Sequence, residues 1–221
     1  MNAKLLLPFL LLAAACGVDN GSSVVIMGRV QTPVWVSTGC IFTPGMFDVG
    51  TGTLDLNGPG LYEMALEVQN NMTDPTSTNG QAGSRTWKAY EVSTRVINAS
   101  DFYPKQVNVA AHEVTAADST AVLPGTANLG VQTIVGQQMA GDIAAAVGAL
   151  APGEVRLLQL GVRLLGKTAD GVEVDTSEST YPLQVCYGCL VTPPTCPTGK
   201  TVTNVGNCYP TGEDQLEFQC Q

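Results

Sequence analysis

Charged residues are scarce in this sequence. They make up 13% of the 221 residues, roughly half the share of an average protein, and ten basic residues stand against 19 acidic ones. Helices held by rows of ion pairs are therefore not expected, whereas 24 glycines and 13 prolines favour short strands joined by turns. The net charge of −9 repels phosphate groups, which argues against nucleic acid as a partner.

Histidine is almost missing. His112, beside Glu113, is the only one, so a metal site that needs two histidines is excluded. A surface or capped histidine is the simplest interpretation of this residue. The Gly-x-Ser-x-Gly pattern that presents a catalytic serine is also missing. We therefore assign no catalytic residue, no metal ligand and no cofactor, and do not expect an enzyme.

The apolar run near the N-terminus is too short for a transmembrane helix. It covers the 11 residues from Leu5 to Ala15, whereas a spanning helix needs about 20. Lys4 precedes the run, and Ala13-Ala14-Ala15 supply small side chains at its end. This order is typical of a secretory signal, so we predict that residues 1–15 are a signal peptide that is removed.

A cysteine follows the small residues at once. Leu12-Ala13-Ala14-Ala15-Cys16, with Gly17 next, resembles the lipobox of bacterial lipoproteins. The resemblance implies that Cys16 is acylated, for example with palmitate, becomes the new N-terminus and anchors a tether of residues 16–23 to a membrane. Because Gly17 and not aspartate follows the cysteine, it also implies the outer membrane of the cell envelope over the inner one. Loss of Lys4 leaves nine basic against 19 acidic residues, a net charge of −10.

The cysteine count agrees with lipidation. The chain has seven cysteines, and use of Cys16 leaves an even number, Cys40, Cys186, Cys189, Cys196, Cys208 and Cys220. In an exported protein disulfides are the default, so three bridges are predicted. Cys208 and Cys220 could close a loop within the tail, and Cys40 would then join the CxxC at 186–189 or Cys196. Zinc binding or redox chemistry at the CxxC is the alternative.

Residues 24–185 are predicted to form one β-sandwich domain, immunoglobulin-like or related. Apolar and polar residues alternate after Leu61 through Tyr62 to Val68, and again from Lys88 to Ile97 through Tyr90, Val92, Thr94 and Val96. Further strands are expected at 24–30, 34–37, 107–111 and 158–164. Five cysteines in the last 36 residues, with little apolar periodicity, predict a small disulfide-held appendage at 186–221.

One short helix and one hairpin are expected between these strands. Met139, Ile143, Val147 and Leu150 lie on one helical face, which Pro152-Gly153 should end. Asp170-Gly171 is a hairpin turn signal. The apolar positions change phase between Thr176 and Thr180, which predicts a bulge in the return strand.

Two patterns suggest ligand sites. Gly161 to Thr168 fits the phosphate-loop pattern GxxxxGK[ST], but its apolar alternation belongs to a strand and a hairpin follows, so no nucleotide is expected. Asp170, Glu173, Asp175 and Glu178 could hold Ca²⁺, yet their spacing lacks the order of a calcium loop, and a solvated acidic hairpin is the simpler interpretation.

Two functions remain open. The first is a non-enzymatic envelope lipoprotein that binds or assembles with other envelope proteins. The second is a carbohydrate-binding or glycan-processing lipoprotein, with Trp35 or Trp87 as the platform for a sugar ring; both tryptophans could instead belong to the core.

Overall fold

A computed structural model gives the fold of the chain. It describes residues 23–29, 34–36, 39–41, 43–45, 47, 51–58, 60–73, 85–97, 109–116, 121–151, 154–190, 197–200, 202–204 and 218–220. For the short strands at 34–36, 39–41, 202–204 and 218–220 it describes the backbone. The predicted signal peptide and Cys16 lie outside the described residues.

Twelve strands and one helix make up the described regular structure. The strands are β1 Val24–Arg29, β2 Val34–Val36, β3 Gly39–Ile41, β4 Gly52–Asp55, β5 Tyr62–Asn70, β6 Trp87–Ile97, β7 His112–Thr115, β8 Ala127–Val135, β9 Val155–Thr168, β10 Ser179–Cys186, β11 Val202–Asn204 and β12 Phe218–Cys220, and the helix is α1 Gln137–Val147. No helix of the described part is long and apolar enough to cross a membrane.

Two larger sheets form the body of the described structure. The first has the order β1-β5-β8 and is antiparallel, and the second has the order β4-β10-β9-β6-β7. In the second sheet β4 joins β10 in parallel and every other pair is antiparallel. Two separate strand pairs, β2-β3 and β11-β12, lie outside these sheets.

A single apolar core connects the two larger sheets. Alternating residues of β5, β6 and β9 are buried, and Met139, Ala140 and Ile143 of α1 join them. The buried strand residues include Met64, Leu66, Val68, Val92, Val96, Leu158, Leu160, Val162 and Leu164. The expected fold class, a mainly β sandwich with one short helix, is therefore confirmed.

The hairpin after β9 confirms the predicted turn and the predicted bulge. Thr168 N–H donates to Val172 O across the turn, and Gly171 has a φ of 87° that favours glycine. Thr176 N–H donates to Leu164 O, but Ser179 lies opposite Val162. From Thr176 to Ser179 the return strand advances three residues, whereas β9 covers only two residues from Leu164 to Val162. The return strand therefore has one extra residue, which is the bulge predicted between Thr176 and Thr180.

Two boundaries differ from those predicted. α1 ends at Val147 because Gly148 adopts a φ of 80° and donates its N–H to Ala144 O, so Leu150 lies beyond the helix. The strand expected at 107–111 begins only at His112; Val109 to Ala111 are not in a strand. Apolar spacing locates an element, but a glycine or a hydrogen-bond partner determines its end.

Candidate functional site

A bulge in β6 turns an aromatic ring outward. Ala89 lies opposite Gly166 and Glu91 opposite Leu165, so Tyr90 is the extra residue between them. Its side chain is 39% exposed, although Val92, Thr94 and Val96 of the same strand are buried. The expected alternation is therefore wrong at Tyr90. Bulges commonly redirect a side chain in this way, and they are frequent near functional sites.

Tyr90 lines a groove of about 650 Å³ on the outer side of the five-stranded sheet, which we call the Tyr90 groove. Its lining includes Thr86, Lys88, Tyr90, Thr115, Lys167 and Ala169. A volume of this size falls within the range of small-ligand sites, about 300–1,000 Å³. The hydrogen bond from Ala116 N–H to Tyr90 O ties β7 to the bulge and so forms one side of the groove.

Two lysines meet in the Tyr90 groove. Lys88 on β6 lies directly opposite Lys167 on β9, and both are exposed. Lys167 Nζ is 5.4 Å from the centroid of the Tyr90 ring and 3.1 Å from Glu173 Oε1. Partial burial and the carboxylates of Glu173 and Asp175 raise the pKa of the Tyr90 phenol, so it stays protonated near neutral pH and can donate a hydrogen bond.

The lysine in the groove belongs to the phosphate-loop pattern, which the structure explains differently. Residues 161–168 are the end of strand β9, as predicted, and a hairpin follows. A Cβ on Gly166 would lie 2.2 Å from Cε2 of Trp87, and one on Gly161 would lie 2.7 Å from Cδ of Glu178. Both glycines thus make room for a neighbouring side chain. Lys167, expected to be an ordinary surface residue, lines the Tyr90 groove.

Trp87 belongs to the core. It is 1% exposed, and its indole N–H donates to Val174 O over 2.7 Å. It is therefore not a platform for a sugar ring, which corrects one half of the tryptophan hypothesis. The backbone of Trp35 pairs with that of Cys40 in the β2-β3 hairpin, and its side chain lies outside the described part.

The CxxC motif is closed by a disulfide between Cys186 and Cys189. Buried Asp55, at the end of β4, holds the loop between them. Gly188 N–H donates to Asp55 Oδ1 over 2.7 Å, and Leu190 N–H donates to Oδ2 over 2.8 Å. Asn57 N–H also donates to Oδ1, so both carboxylate oxygens are satisfied.

This geometry favours a structural bridge over a redox centre. Cys189 is exposed and Cys186 is buried, which favours attack by an external thiolate at Cys189 with release of Cys186 as a thiolate. The Asp55 carboxylate and the two sulfurs lie within 4.8 Å of one another. The nearby negative charge would oppose formation of that thiolate. While the sulfurs are bonded to each other, they also offer no thiolate to a metal ion.

Three acids of the hairpin, Asp170, Glu173 and Glu178, have separate partners. Asp170 accepts a hydrogen bond from Thr168 Oγ1 and lies 3.9 Å from Arg85, and Glu173 pairs with Lys167. Glu178 accepts two hydrogen bonds from the Arg95 guanidinium, at 2.6 and 2.7 Å. They do not converge on one point, and within the described part they form no metal-ligand cluster.

His112 also has a partner. Its Nε2 lies 2.8 Å from Asp142 Oδ2, which connects β7 to α1. No serine or cysteine contact of this ring is found in the described part of the chain. The pair therefore joins two elements of the fold.

The other predicted cysteine sites are only partly described. The backbone of Cys40 lies in β3, and that of Cys220 in β12 lies opposite Val202. Cys16, Cys196 and Cys208 lie outside the described residues. Their lipidation and pairing stay predictions.

Three features were not anticipated from the sequence. They are the outward turn of Tyr90, the Lys88–Lys167 pair and the buried Asp55. Polar and apolar residues alternate at 53–57, but this stretch between two glycines is too short to mark β4 by itself, and strand register determines which lysines meet. No protein-family model matches this chain, no curated protein matches its sequence and no solved structure matches its fold. What the chain does must be inferred from its own chemistry.

Proposed function

We propose that this protein is an exported lipoprotein, anchored to the cell envelope through Cys16, whose β-sandwich has a non-enzymatic binding or assembly role. The observation that carries the proposal is the apolar run from Leu5 to Ala15 followed at once by Cys16. A cleaved and acylated cysteine at this position anchors the chain to a membrane, with the outer membrane favoured because Gly17 follows. Several acyl chains together anchor a protein stably, which one chain alone does not.

The Cys186–Cys189 disulfide supports export. Such bonds persist in oxidising compartments and are rare where thiols are kept reduced. The scarcity of charge and the net charge of −9 agree with a protein that neither binds nucleic acid nor needs a nucleotide. Other envelope proteins are the partners of this proposal.

The anchor is tested by intact mass and membrane partitioning of the protein made in a bacterial host. We expect a mature N-terminus at Cys16 that carries acyl chains, and Cys16→Ser should abolish both acylation and normal processing. The matched control is the double variant Cys186→Ser and Cys189→Ser, which removes the disulfide of the CxxC and should keep the lipid. An unmodified N-terminus at any other residue would contradict the proposal.

A second candidate is carbohydrate binding, which the exposed ring of Tyr90 at the β6 bulge supports. Trp87 is buried, but Tyr90 offers an exposed aromatic ring in a groove with lysine and threonine side chains. Aromatic rings that present both an apolar face and a polar atom suit ligands with the same mixture. Binding of a soluble saccharide that depends on Tyr90, with no change in the saccharide's mass, would support this candidate.

A further inference from the structure

We propose that the Tyr90 groove binds an acidic saccharide, with the sugar carboxylate on Lys88 and the apolar face of the sugar ring against Tyr90. The inference rests on the carbohydrate-binding candidate and is independent of the lipid anchor.

The pair of lysines that lines the groove is the first reason. Lys88 and Lys167 are cross-strand neighbours, and like charges directly opposite each other in a sheet are unfavourable. The chain has only ten basic residues, so two of them side by side in one groove mark a local exception to an acidic surface. Glu173 offsets Lys167 from the other side, at 3.1 Å. Lys88 therefore has the ammonium group better placed to receive a ligand carboxylate.

The second reason is an unpaired hydroxyl. Thr86 lines the groove, is only 7% exposed, and its Oγ1 has no hydrogen-bond partner among the described residues. A buried hydroxyl without a partner is unfavourable, and a rotation of the Thr86 side chain toward the groove would let a ligand hydroxyl relieve the cost. An alkyl chain in the groove would leave Thr86 unpaired, whereas a sugar offers several hydroxyls.

Tyr90 supplies the third element. Its bulge position exposes the ring, and its protonated phenol can donate to a sugar oxygen. Four small side chains of the lining leave space for a sugar ring, namely those of Ala89, Ala116, Ala121 and Ala169. The groove thus combines an aromatic surface, hydroxyl groups and cations, which together match a hexuronic acid.

The neighbouring acids limit the charge of the ligand. Glu173 and Asp175 are close enough to Tyr90 to raise the pKa of its phenol. A phosphate with two negative charges would face these carboxylates, whereas the single charge of a uronic acid is offset by Lys88 alone. The same argument excludes sulfated sugars with several charges.

The test is calorimetric titration of the full mature protein with the methyl glycoside of galacturonic acid, which carries one carboxylate, and with the methyl ester of that glycoside, which keeps every sugar atom but removes the charge. We expect the acid to bind, and we expect the affinity for the ester to be lower by a factor of about ten or more, because one charge-assisted contact is lost. Lys88→Gln should weaken binding of the acid to the level of the ester. Tyr90→Leu should weaken both probes.

Lys200→Gln is the matched control, since it removes an exposed lysine elsewhere and should leave the affinity unchanged. Thermal melts of each variant show that the fold is intact. The proposal is wrong if the acid does not bind at about 1 mM, if acid and ester bind equally, or if Lys88→Gln behaves like Lys200→Gln. None of these outcomes affects the anchor, which is measured separately by the mass of the N-terminus.

Discussion

Two glycines of β9 leave space for side chains from other parts of the chain. Gly166 leaves the space that the Trp87 ring fills, and Gly161 leaves space for the Glu178 carboxyl that Arg95 holds. Because Trp87 is among the largest fully buried side chains, its position affects the packing of both sheets. The two glycines therefore serve the core, and their resemblance to a phosphate loop is incidental to that role.

Gly166→Ala is expected to destabilise the protein. The added Cβ would lie 2.2 Å from the Trp87 ring, so the ring must shift, which costs about 1–3 kcal/mol of the free energy of unfolding. Chemical denaturation of the mature protein measures the change. Gly141→Ala is the matched control, because nothing lies within 4 Å of a Cβ there and a helical alanine should be neutral or stabilising by about 0.5–1 kcal/mol. Equal effects of the two substitutions would contradict the packing argument.

Two glutamates should give opposite pH dependences. The hydrogen bonds from Arg95 lower the pKa of Glu178, so the stability that this pair contributes is present above the unfolded pKa and is lost as the pH falls through the folded pKa. The pair is partly exposed, so Glu178→Gln should cost about 0.2–1 kcal/mol at pH 7 and progressively less below about pH 5.

Glu91 is the contrasting case. Partial burial, together with a hydrogen bond to Glu113, raises the pKa of Glu91, so ionisation disfavours the fold as the pH rises from the unfolded pKa through the folded pKa. Glu91→Gln should therefore stabilise the protein at pH 7 and have no effect in acid. Denaturation midpoints measured across the pH range compare the two variants. The same sign for both would show that these side chains do not act through their charges.

At the scale of elements, the loop after β10 depends on a strand distant in sequence. Asp55 ends β4, which pairs in parallel with β10, and the pairing brings its carboxylate under the backbone of the CxxC loop. Three N–H groups donate to this carboxylate. Because hydrogen bonds to a buried charge are stronger than neutral ones, we expect Asp55 to fix the conformation of the loop that the disulfide closes.

Asp55→Asn should loosen the loop. One carboxylate oxygen becomes an amide group that faces a backbone N–H, so a hydrogen bond is replaced by a repulsive contact, at a cost of about 1–3 kcal/mol. Amide hydrogen exchange at Gly188 and Leu190 should accelerate, with a matching fall in the denaturation midpoint. Asp142→Asn, a substitution of the same kind at an exposed position, should change stability by only about 0.5 kcal/mol or less. Unchanged exchange in Asp55→Asn would show that the carboxylate does not hold the loop.

Much of the sandwich follows from alternation, but the groove does not. The apolar periods of β5 and β9, the Asp170-Gly171 turn and the phase change before β10 all lie in the sequence, since each depends on neighbouring residues. The bulge at Tyr90 depends on how β6 pairs with β9, and Lys88 meets Lys167 only through that same register. The parallel position of β4 depends on a contact with β10, more than 100 residues away, and no local pattern records it.

At the scale of the whole molecule, we expect the cysteines to connect the sandwich to its tail. Cys186 and Cys189 bond to each other, so the CxxC is no longer a partner for Cys40. Three cysteines remain for it, Cys196, Cys208 and Cys220. If Cys208 and Cys220 close a loop within the tail, Cys196 is the partner of Cys40. Closing a loop of well over 100 residues would stabilise the fold by about 4–5 kcal/mol in the chain-entropy description.

We predict three disulfides in the mature chain, one of them between Cys40 and the tail. Peptide mapping of the denatured, unreduced protein identifies the pairs, and thiol titration should find no free thiol. Reduction should release the tail first and leave the strands between residues 61 and 165 folded, because their buried faces form a core without it. The control is the double variant Cys186→Ser and Cys189→Ser, which should keep the two other bridges. Two or more free thiols, or stoichiometric zinc, would mean that the tail is a metal or redox site.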